Sequence, residues 1–433
     1  MTAYIYTLGC KVNQYESLVI RELLESHGFL LLDSPYGADV IIINSCTVTE
    51  SADTKLRQLM MRIKRESRDS VIALTGCFPQ AQPDSIINSY ADIVLGENKK
   101  TEVVSAIKEY FESGSRLCLV EKNHRGEGLE HMLLTSDPEH TRASIKIQDG
   151  CDRFCSYCII PYARGRSRSK PLDVIKDEAR GLVAAGHKEL VLVGINLSCY
   201  GLDLPGGVNL ADAASLVCST SGARRVRLGS LEPELLDKGI IKRLSKNKTL
   251  CPHFHLSLQS GSDRVLSEMG RKYDTREYIS IVESLKEEFE SCTITTDLMT
   301  GFPGETREDF ADSLRLIEKI GFARVHVFPY SQRPGTRASR RSDGIPRSVA
   351  VERAKIASQT AKRVELQFLD SLIGSTQEVL FEREQNPSWH FGHTRGYLEV
   401  RVRRTGGSLR HEIKDVIITS REDGFLIGEL IKP

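Results

Sequence analysis

Ser144-Ile145-Lys146-Ile147-Gln148-Asp149-Gly150-Cys151-Asp152-Arg153-Phe154-Cys155-Ser156-Tyr157-Cys158 is the stretch on which the fold turns. Its first five residues read as a short strand, and cysteines 151, 155 and 158 follow at once in C-x3-C-x2-C spacing. Three thiolates on one loop can hold three irons of a [4Fe–4S] cluster and leave the fourth iron open to an added ligand. Structural zinc sites want four ligands in paired C-x2-4-C sets, and no second pair accompanies this one. A loop that follows a strand also sits where (β/α) barrels place their chemistry, at the strand carboxyl ends.

Working outward, strand patterns recur at 144–148, 189–193, 225–229, 253–258, 292–297 and 323–328, with helical patterns between them. Six βα units over 141–367 predict an incomplete (β/α) barrel, since a closed one needs eight. Residues 1–120 alternate in the same manner. Strands are predicted from Ala3 to Leu8, Val40 to Asn44 and Val71 to Thr75, with another starting at Ile93-Val94. Helices fall over about 16–27 and 51–68, so this part reads as a doubly wound parallel sheet. Residues 121–140 are charged and contain glycine and histidine, as a linker would. From 368 to 433 the pattern changes again, to short alternating runs such as Gln377–Phe381 and Tyr397–Val402 between Gly, Pro and Asn. That is a small antiparallel β-barrel. The fold class is α/β, in three parts.

A second cysteine set stands in the first part. Cys10, Cys46 and Cys77 each come just after a predicted strand, at intervals of 36 and 31 residues. Parallel strands share one carboxyl edge, so one βα unit per step brings all three thiols to one rim. Gly9 and Gly76 suit tight turns there. Buried cysteines at strand ends are common, and a structural role for this set alone has roughly even odds. Paired with the loop triad, a second three-ligand cluster is the better account.

At 433 residues the chain is too long for one ordinary domain. Its 40% hydrophobic and 27% charged composition excludes a disordered or membrane-embedded class, and no apolar run approaches the ~18 residues of a span. The amino end reads as a strand and lacks a signal peptide's basic and apolar regions, so a cytoplasmic location is expected. Eleven cysteines, an odd number, in that reducing compartment argue for ligands rather than disulfides. Cys118, Cys199, Cys218, Cys251 and Cys292 are expected in the core.

C-x3-C-x2-C with Tyr157 before the third cysteine resembles the radical S-adenosylmethionine superfamily. Thr7-Leu8-Gly9-Cys10-Lys11-Val12-Asn13-Gln14-Tyr15-Glu16-Ser17, Asn44-Ser45-Cys46-Thr47-Val48-Thr49 and Thr75-Gly76-Cys77 resemble the cluster motifs of its methylthiotransferase family. Lys146–Gly165, Ser257–Gly261, Thr300–Thr306 and Tyr330–Thr336 continue the resemblance over nearly the whole chain. Within the family, Cys-Lys-Val-Asn-Gln-Tyr is similar to the branch acting on N6-threonylcarbamoyladenosine at tRNA position 37. The isopentenyladenosine and ribosomal-protein branches carry other residues after the first cysteine.

The resemblance implies two [4Fe–4S] clusters, on Cys10, Cys46 and Cys77 and on Cys151, Cys155 and Cys158. It implies S-adenosylmethionine both as methyl donor and as radical source, and transfer of a methylthio group to adenine carbon 2. Implied partners are the tRNA anticodon stem-loop, an electron donor such as flavodoxin or ferredoxin, and a sulfur source; no membrane partner is implied. The carboxy-terminal barrel is then an RNA-binding TRAM-like domain. Tyr157, Asn196, Glu232 and Gln259, at strand ends or in the cluster loop, are the candidates around S-adenosylmethionine. The superfamily's usual Gly-Gly-Glu is replaced by Gly194-Ile195-Asn196. No further catalytic residue stands out.

Basic runs offer phosphate contacts: Arg62, Lys64, Arg65 and Arg68; Arg164, Arg166, Arg168 and Lys170; Arg333, Arg337, Arg340 and Arg341; and Arg401, Arg403, Arg404 and Arg410. Such runs are more often solvated faces. With a net charge of +1, RNA binding needs segregation of charge. Trp389, His390, Phe391 and His393 could stack on a base, although packing is the commoner use. Two rival readings are an aspartate methylthiotransferase of a ribosomal protein, and a non-enzymatic RNA-binding protein with structural metal. The second sits badly with two triads, each one ligand short of a closed site.

Overall fold

The computed structural model describes residues 1–83, 90–121, 128–382 and 387–431. β1 (Thr2–Thr7), β2 (Leu30–Leu31), β3 (Val40–Ser45), β4 (Val71–Gly76), β5 (Ile93–Leu95) and β6 (Leu117–Leu119) form one sheet in the order β2-β1-β3-β4-β5-β6. Every pairing in it is parallel. β3 and β4 are buried along their whole length because helices cover both faces, which is why they read as unbroken apolar runs. Helices α1 (Lys11–Ser26) and α4 (Val103–Ser113) pack Ile20, Leu24, Val103 and Ile107 against Val40, Ile42 and Ala73. Helix α2 (Glu50–Glu66) packs Leu56, Met60 and Ile63 on the other face, and the short α3 (Cys77–Ala81) follows β4.

Helix α1 begins at Lys11, several residues before the expected start. Its first turns bury Asn13 and Glu16, polar groups that break apolar periodicity and so hide the helix from a sequence reading.

In the second part, β7 (Arg142–Lys146) leads into a short antiparallel pair, β8 (Gln148–Asp149) and β9 (Arg168–Ser169). β10 (Glu189–Val193) and β11 (Arg225–Leu228) form a parallel sheet with β7, in the order β11-β10-β7. β12 (Ser230–Leu231), β13 (His253–Leu256), β14 (Thr293–Thr300) and β15 (Arg324–Pro329) form a second parallel sheet. Gly229 alone separates β11 from β12, and a Val226–Leu250 bridge links the two sheets. The six expected strands are thus all present in an open barrel. β7 is its edge, and α1 covers that edge: Tyr15, Leu18 and Val19 share one core with Ala143, Ile145 and Leu190.

The long helix Arg347–Asp370 packs on β14 and β15 and leads to the third part. There β16 (Thr376–Phe381), β17 (Trp389–Thr394), β18 (Glu399–Arg403), β19 (Ile413–Glu422) and β20 (Phe425–Leu430) close a barrel in the order β16-β17-β18-β20-β19. Val379, Phe381, Val400, Val402, Val416, Ile418 and Leu426 fill it by alternation. Four pairings are antiparallel; β18 and β20 run parallel, because the chain crosses to β19 before returning in the β19–β20 hairpin. Trp389 packs under Arg403, and His390 lies buried against Phe381, so these rings serve packing. Among the described residues no helix is long and apolar enough to cross a membrane.

Candidate active site

Cys151, Cys155 and Cys158 lie past the carboxyl end of β7, on the loop held by β8 and β9. Burial pushes the Cys158 thiol up to about 12, with Cys155 and Cys151 adding to the rise, and it raises Cys151 as well. Crowded thiols whose ionisation burial opposes, as at Cys151 and Cys158, suit a metal-binding triad, since a metal takes up the charge that burial penalises. Around them stand the four sequence candidates. Asn196 Nδ2 approaches Cys151 Sγ at 3.8 Å, while Asn196 Oδ1 is buried without a partner. Gln259 is held at φ +67°, and its Oε1 is likewise buried and unpartnered. Tyr157 lines the adjoining cavity beside Cys158 and Gln259. Orphaned acceptors near a thiol triad, one of them on a strained backbone, are groups that a polar cofactor bound there would satisfy.

Glu232 sits differently. Its carboxylate is ion-paired with Arg271, a buried arginine that also reaches Cys155 Sγ at 3.6 Å and receives Tyr273 against its guanidinium. Arg271 was not among the sequence candidates, and only its place just after Gly270 distinguishes it in the chain. Gln148 was also missed. Its Oε1 accepts from the Asn196 amide at 2.8 Å, and its Nε2 donates to the carbonyls of Asp149 and Gly150. A side chain at Gly194 would strike that Oε1 at 2.9 Å, so glycine there lets Gln148 position Asn196.

The second triad gathers at the rim of the first sheet. Burial raises the Cys77 thiol well above its ordinary value and raises Cys46; Cys10 adds to both, and Cys46 to Cys77. Gly9 and Gly76 have φ +122° and +94°, as tight turns require. What they admit is the neighbouring strand end: an added Cβ at Gly9 would fall 2.8 Å from Cys46 Cβ, and at Gly76 2.3 Å from the Ser45 carbonyl.

Arg164 joins the two triads' domains. Fully buried, it donates from Nε to Cys77 Sγ at 3.1 Å and from its terminal nitrogens to Asn13, Glu16, Glu97 and Asp149 at 2.8–3.2 Å. Lys146 bridges Glu16 at 2.6 Å and Asp149 at 2.5 Å, and Lys100 meets Glu97 at 2.6 Å. Burial opposes ionisation of Asp149 and Glu16, but Arg164, Lys146 and Lys100 hold both well below the usual carboxylate range. The carboxylates of Glu16, Glu97 and Asp149 converge as a metal site would, yet three cations already fill the space between them. Arg333 makes a second tie, donating to Thr47 at 2.8 Å and Asp53 at 2.6 Å across the same domain boundary.

These contacts correct the phosphate-contact reading of the basic runs. Arg164, Arg168, Lys170 and Arg333 are buried in ion pairs or backbone hydrogen bonds, and Arg166 is half-buried and paired with Asp152, leaving Arg337 and Arg340 exposed. The expected core cysteines also need one correction. Cys118 is exposed because β6 is the sheet's edge, whereas Cys199 and Cys251 are buried and Cys218 and Cys292 partly so. All eleven thiols are free.

Two cavities adjoin the triads and share Val48, Ile160 and Asp297. One, of about 880 Å³, lies between Cys158, Tyr157 and Gln259 and the start of α2. The other, of about 690 Å³, is the barrel lumen; Cys10 and Lys11 line it together with Ile195, Ser257 and, from the carboxy-terminal barrel, Tyr397. Both are of the size that takes a cofactor or a nucleobase.

Known proteins resemble this chain over almost its whole length. The radical SAM superfamily matches residues 145–317, and the uncharacterized protein family UPF0004 matches residues 2–96. The threonylcarbamoyladenosine tRNA methylthiotransferase MtaB of Thermotoga maritima is 41% identical, covering 88% of this chain and 86% of that protein. The tRNA-2-methylthio-N(6)-dimethylallyladenosine synthase of Pelotomaculum thermopropionicum is 32% identical, covering 98% and 97%. Among solved structures, the radical S-adenosylmethionine methyltransferase TsrM of Kitasatospora setae superimposes with a TM-score of 0.57 at 17% identity, over 78% of this chain and 76% of that one. The last likeness is one of fold alone.

Proposed function

The chain belongs to the tRNA methylthiotransferase family of radical S-adenosylmethionine enzymes, and from that premise we propose that it converts N6-threonylcarbamoyladenosine at tRNA position 37 to the 2-methylthio derivative. The observation that carries the reading is the pair of thiol triads, each one ligand short of closure, opening on adjoining cavities. In this reading Cys151, Cys155 and Cys158 hold the cluster that binds S-adenosylmethionine, and Cys10, Cys46 and Cys77 hold the second. When bound, these groups supply hydrogen abstraction from adenine carbon 2 and a methylated sulfur for transfer to it.

The chain's own residues bind, orient and enclose. Asn196 and Gln259 offer buried acceptors to the S-adenosylmethionine amine, and Gln148 keeps Asn196 in place. Arg271 offsets negative charge at Cys155, as Arg164 does at Cys77. Helix α1 seals the barrel edge at β7. An anticodon-loop base, unstacked from its neighbours, can enter such a lumen. Exposed Arg62, Arg65, Arg68, Arg337, Arg340, Arg403 and Arg404 are the remaining candidates for phosphate contacts. Residues 368–433 serve as the RNA-binding part, residues 141–367 as the radical core and residues 1–120 as the auxiliary-cluster part. An electron donor such as flavodoxin or ferredoxin and a sulfur source complete the reaction, in the cytoplasm.

The test is reconstitution under argon with reductant, S-adenosylmethionine and tRNA, followed by nucleoside mass analysis, with ribosomal protein assayed in parallel. A 2-methylthio-N6-threonylcarbamoyladenosine product supports the reading. Modified aspartate with unmodified tRNA would replace it.

A further inference from the structure

We propose that Lys11, beside Tyr397 in the barrel lumen, receives the carboxylate at the end of the substrate's N6 substituent and so selects an acidic substituent over an apolar one. This rests on the substrate reading above. The threonylcarbamoyl group ends in an amino-acid carboxylate, whereas a dimethylallyl group carries no charge at all.

The lumen extends from the strand carboxyl ends, at Gly194, Gly229 and Ser257, to the amino ends at His253 and Arg324. Tyr397 reaches it from the turn between β17 and β18, at φ +63°. A side chain at Gly396 in that turn would fall 2.4 Å from Thr293 Oγ1, so the turn is pressed against the start of β14. Arg395 of the same turn donates to the carbonyls of Lys248 and Leu250 at 2.6 and 2.8 Å. The carboxy-terminal barrel therefore plugs the lower end of the radical barrel with Tyr397 in place.

Three cations surround that one ring: Lys11 at 5.4 Å, Arg142 at 4.8 Å and Arg227 at 4.9 Å from its centroid. Two of them are matched. Arg227 donates to Glu189 at 2.8 Å and to the Arg395 carbonyl at 2.9 Å; Arg142 meets Glu382 at 3.3 Å. His393 stacks on Tyr397 at 4.8 Å and is itself bound to Glu382. Lys11 has no carboxylate and no hydrogen-bond partner among the described residues; its ammonium opens on the cavity. Lys11 is exposed to the lumen, so its ammonium is open to an anion that arrives with the ligand, while Arg142 and Arg227 are already occupied. Lys11 follows Cys10 in the chain, and both residues line the same cavity.

The arrangement has a simple chemical test. An anticodon stem-loop RNA carrying N6-threonylcarbamoyladenosine is compared with the same RNA whose threonyl carboxylate is a methylamide. The readout is kcat/KM for 2-methylthio formation together with Kd from fluorescence anisotropy, for native enzyme and Lys11→Gln of equal iron content. The native enzyme should prefer the acid by about 10- to 100-fold, the worth of a charged hydrogen bond. In the variant that ratio should fall to about one, in Kd as in kcat/KM. Equal use of acid and amide by the native enzyme overturns the proposal without needing any variant. So does a Lys11→Gln enzyme that loses both activities in proportion, which marks a structural role. If native enzyme instead modifies only RNA carrying dimethylallyladenosine, the substrate reading itself has failed; undiscriminating turnover of both threonylcarbamoyl RNAs retires Lys11 alone.

Discussion

Cys151, Cys155 and Cys158 leave one loop, whereas Cys10, Cys46 and Cys77 leave three strands of a sheet. The loop triad is assembled by chain connectivity, and its neighbours in space are its neighbours in sequence. The sheet triad is assembled by register: Thr7 pairs Asn44, and Ser45 pairs Gly76, so the residues that follow arrive together. Both triads nonetheless end with one buried arginine donating to one sulfur, Arg271 to Cys155 and Arg164 to Cys77. The difference teaches that a set of three converging thiols can be specified locally or globally. The likeness shows what either route must add, a cation drawn from elsewhere in the chain.

The largest break in this comparison is to remove each triad separately. Anaerobically prepared native protein should carry about eight irons and each triple Cys→Ala variant about four. Reductive cleavage of S-adenosylmethionine to 5′-deoxyadenosine should survive loss of Cys10, Cys46 and Cys77 and vanish with Cys151, Cys155 and Cys158. Loss of all iron from either variant would mean that the triads do not assemble independently.

Exchanging the arginines sharpens the contrast. Arg164→Met leaves three converging carboxylates with two lysines and should cost about 3–5 kcal/mol in urea unfolding of the apo protein. Its low-temperature paramagnetic signature should change at the sheet cluster only. Arg271→Met should change the loop cluster only and weaken S-adenosylmethionine binding, since Glu232 loses its partner.

A smaller effect is expected from acid. Burial would raise Glu189, but Arg227, Arg142 and Arg225 bring it down to about 2 from an ordinary 4.5. A depressed carboxylate contributes stability above its unfolded pKa and loses it as pH falls through the folded one. Glu189 holds Arg227 and Arg225, which reach the carboxy-terminal barrel at the Arg395 carbonyl and at Glu378, so docking of that barrel should weaken between pH 4.5 and about 2. The loss is about 3 kcal/mol at its limit. The chain's single tryptophan, Trp389, lies in that barrel and reports the change by fluorescence in apo protein. Smallest of all, Cys118→Ser on the edge strand should shift stability by no more than about 0.5 kcal/mol and leave iron unchanged.

Much of the architecture is written in local pattern. The six barrel strands, the order of the three parts and the loop triad all follow from apolar periodicity and from spacing within a few residues. The sheet triad was legible because one βα unit per cysteine is a local count that parallel pairing turns into a shared rim. Where polar groups interrupt periodicity the reading shifts, as at the start of α1, whose Asn13 and Glu16 face the Arg164 network instead of an apolar core.

What only the tertiary structure decided is which charges meet. Arg164, Arg168 and Lys170 read as a basic run, the composition of an exposed RNA-facing surface, yet they are buried because polar groups of remote segments, Glu16, Asn98 and the Met132 carbonyl, meet them. Glu16 and Arg164 are 148 residues apart, and Arg227 and Arg395 are separated by 168. The sequence by itself determined the elements, the two thiol sets and the family to which they point, because periodicity, turns and ligand spacing act over a few covalent bonds. The Arg271 and Arg164 contacts to sulfur, the Tyr397 plug and the unpaired Lys11 came from packing, because an ion pair depends on distance and desolvation in space, which neighbouring residues in the chain do not encode.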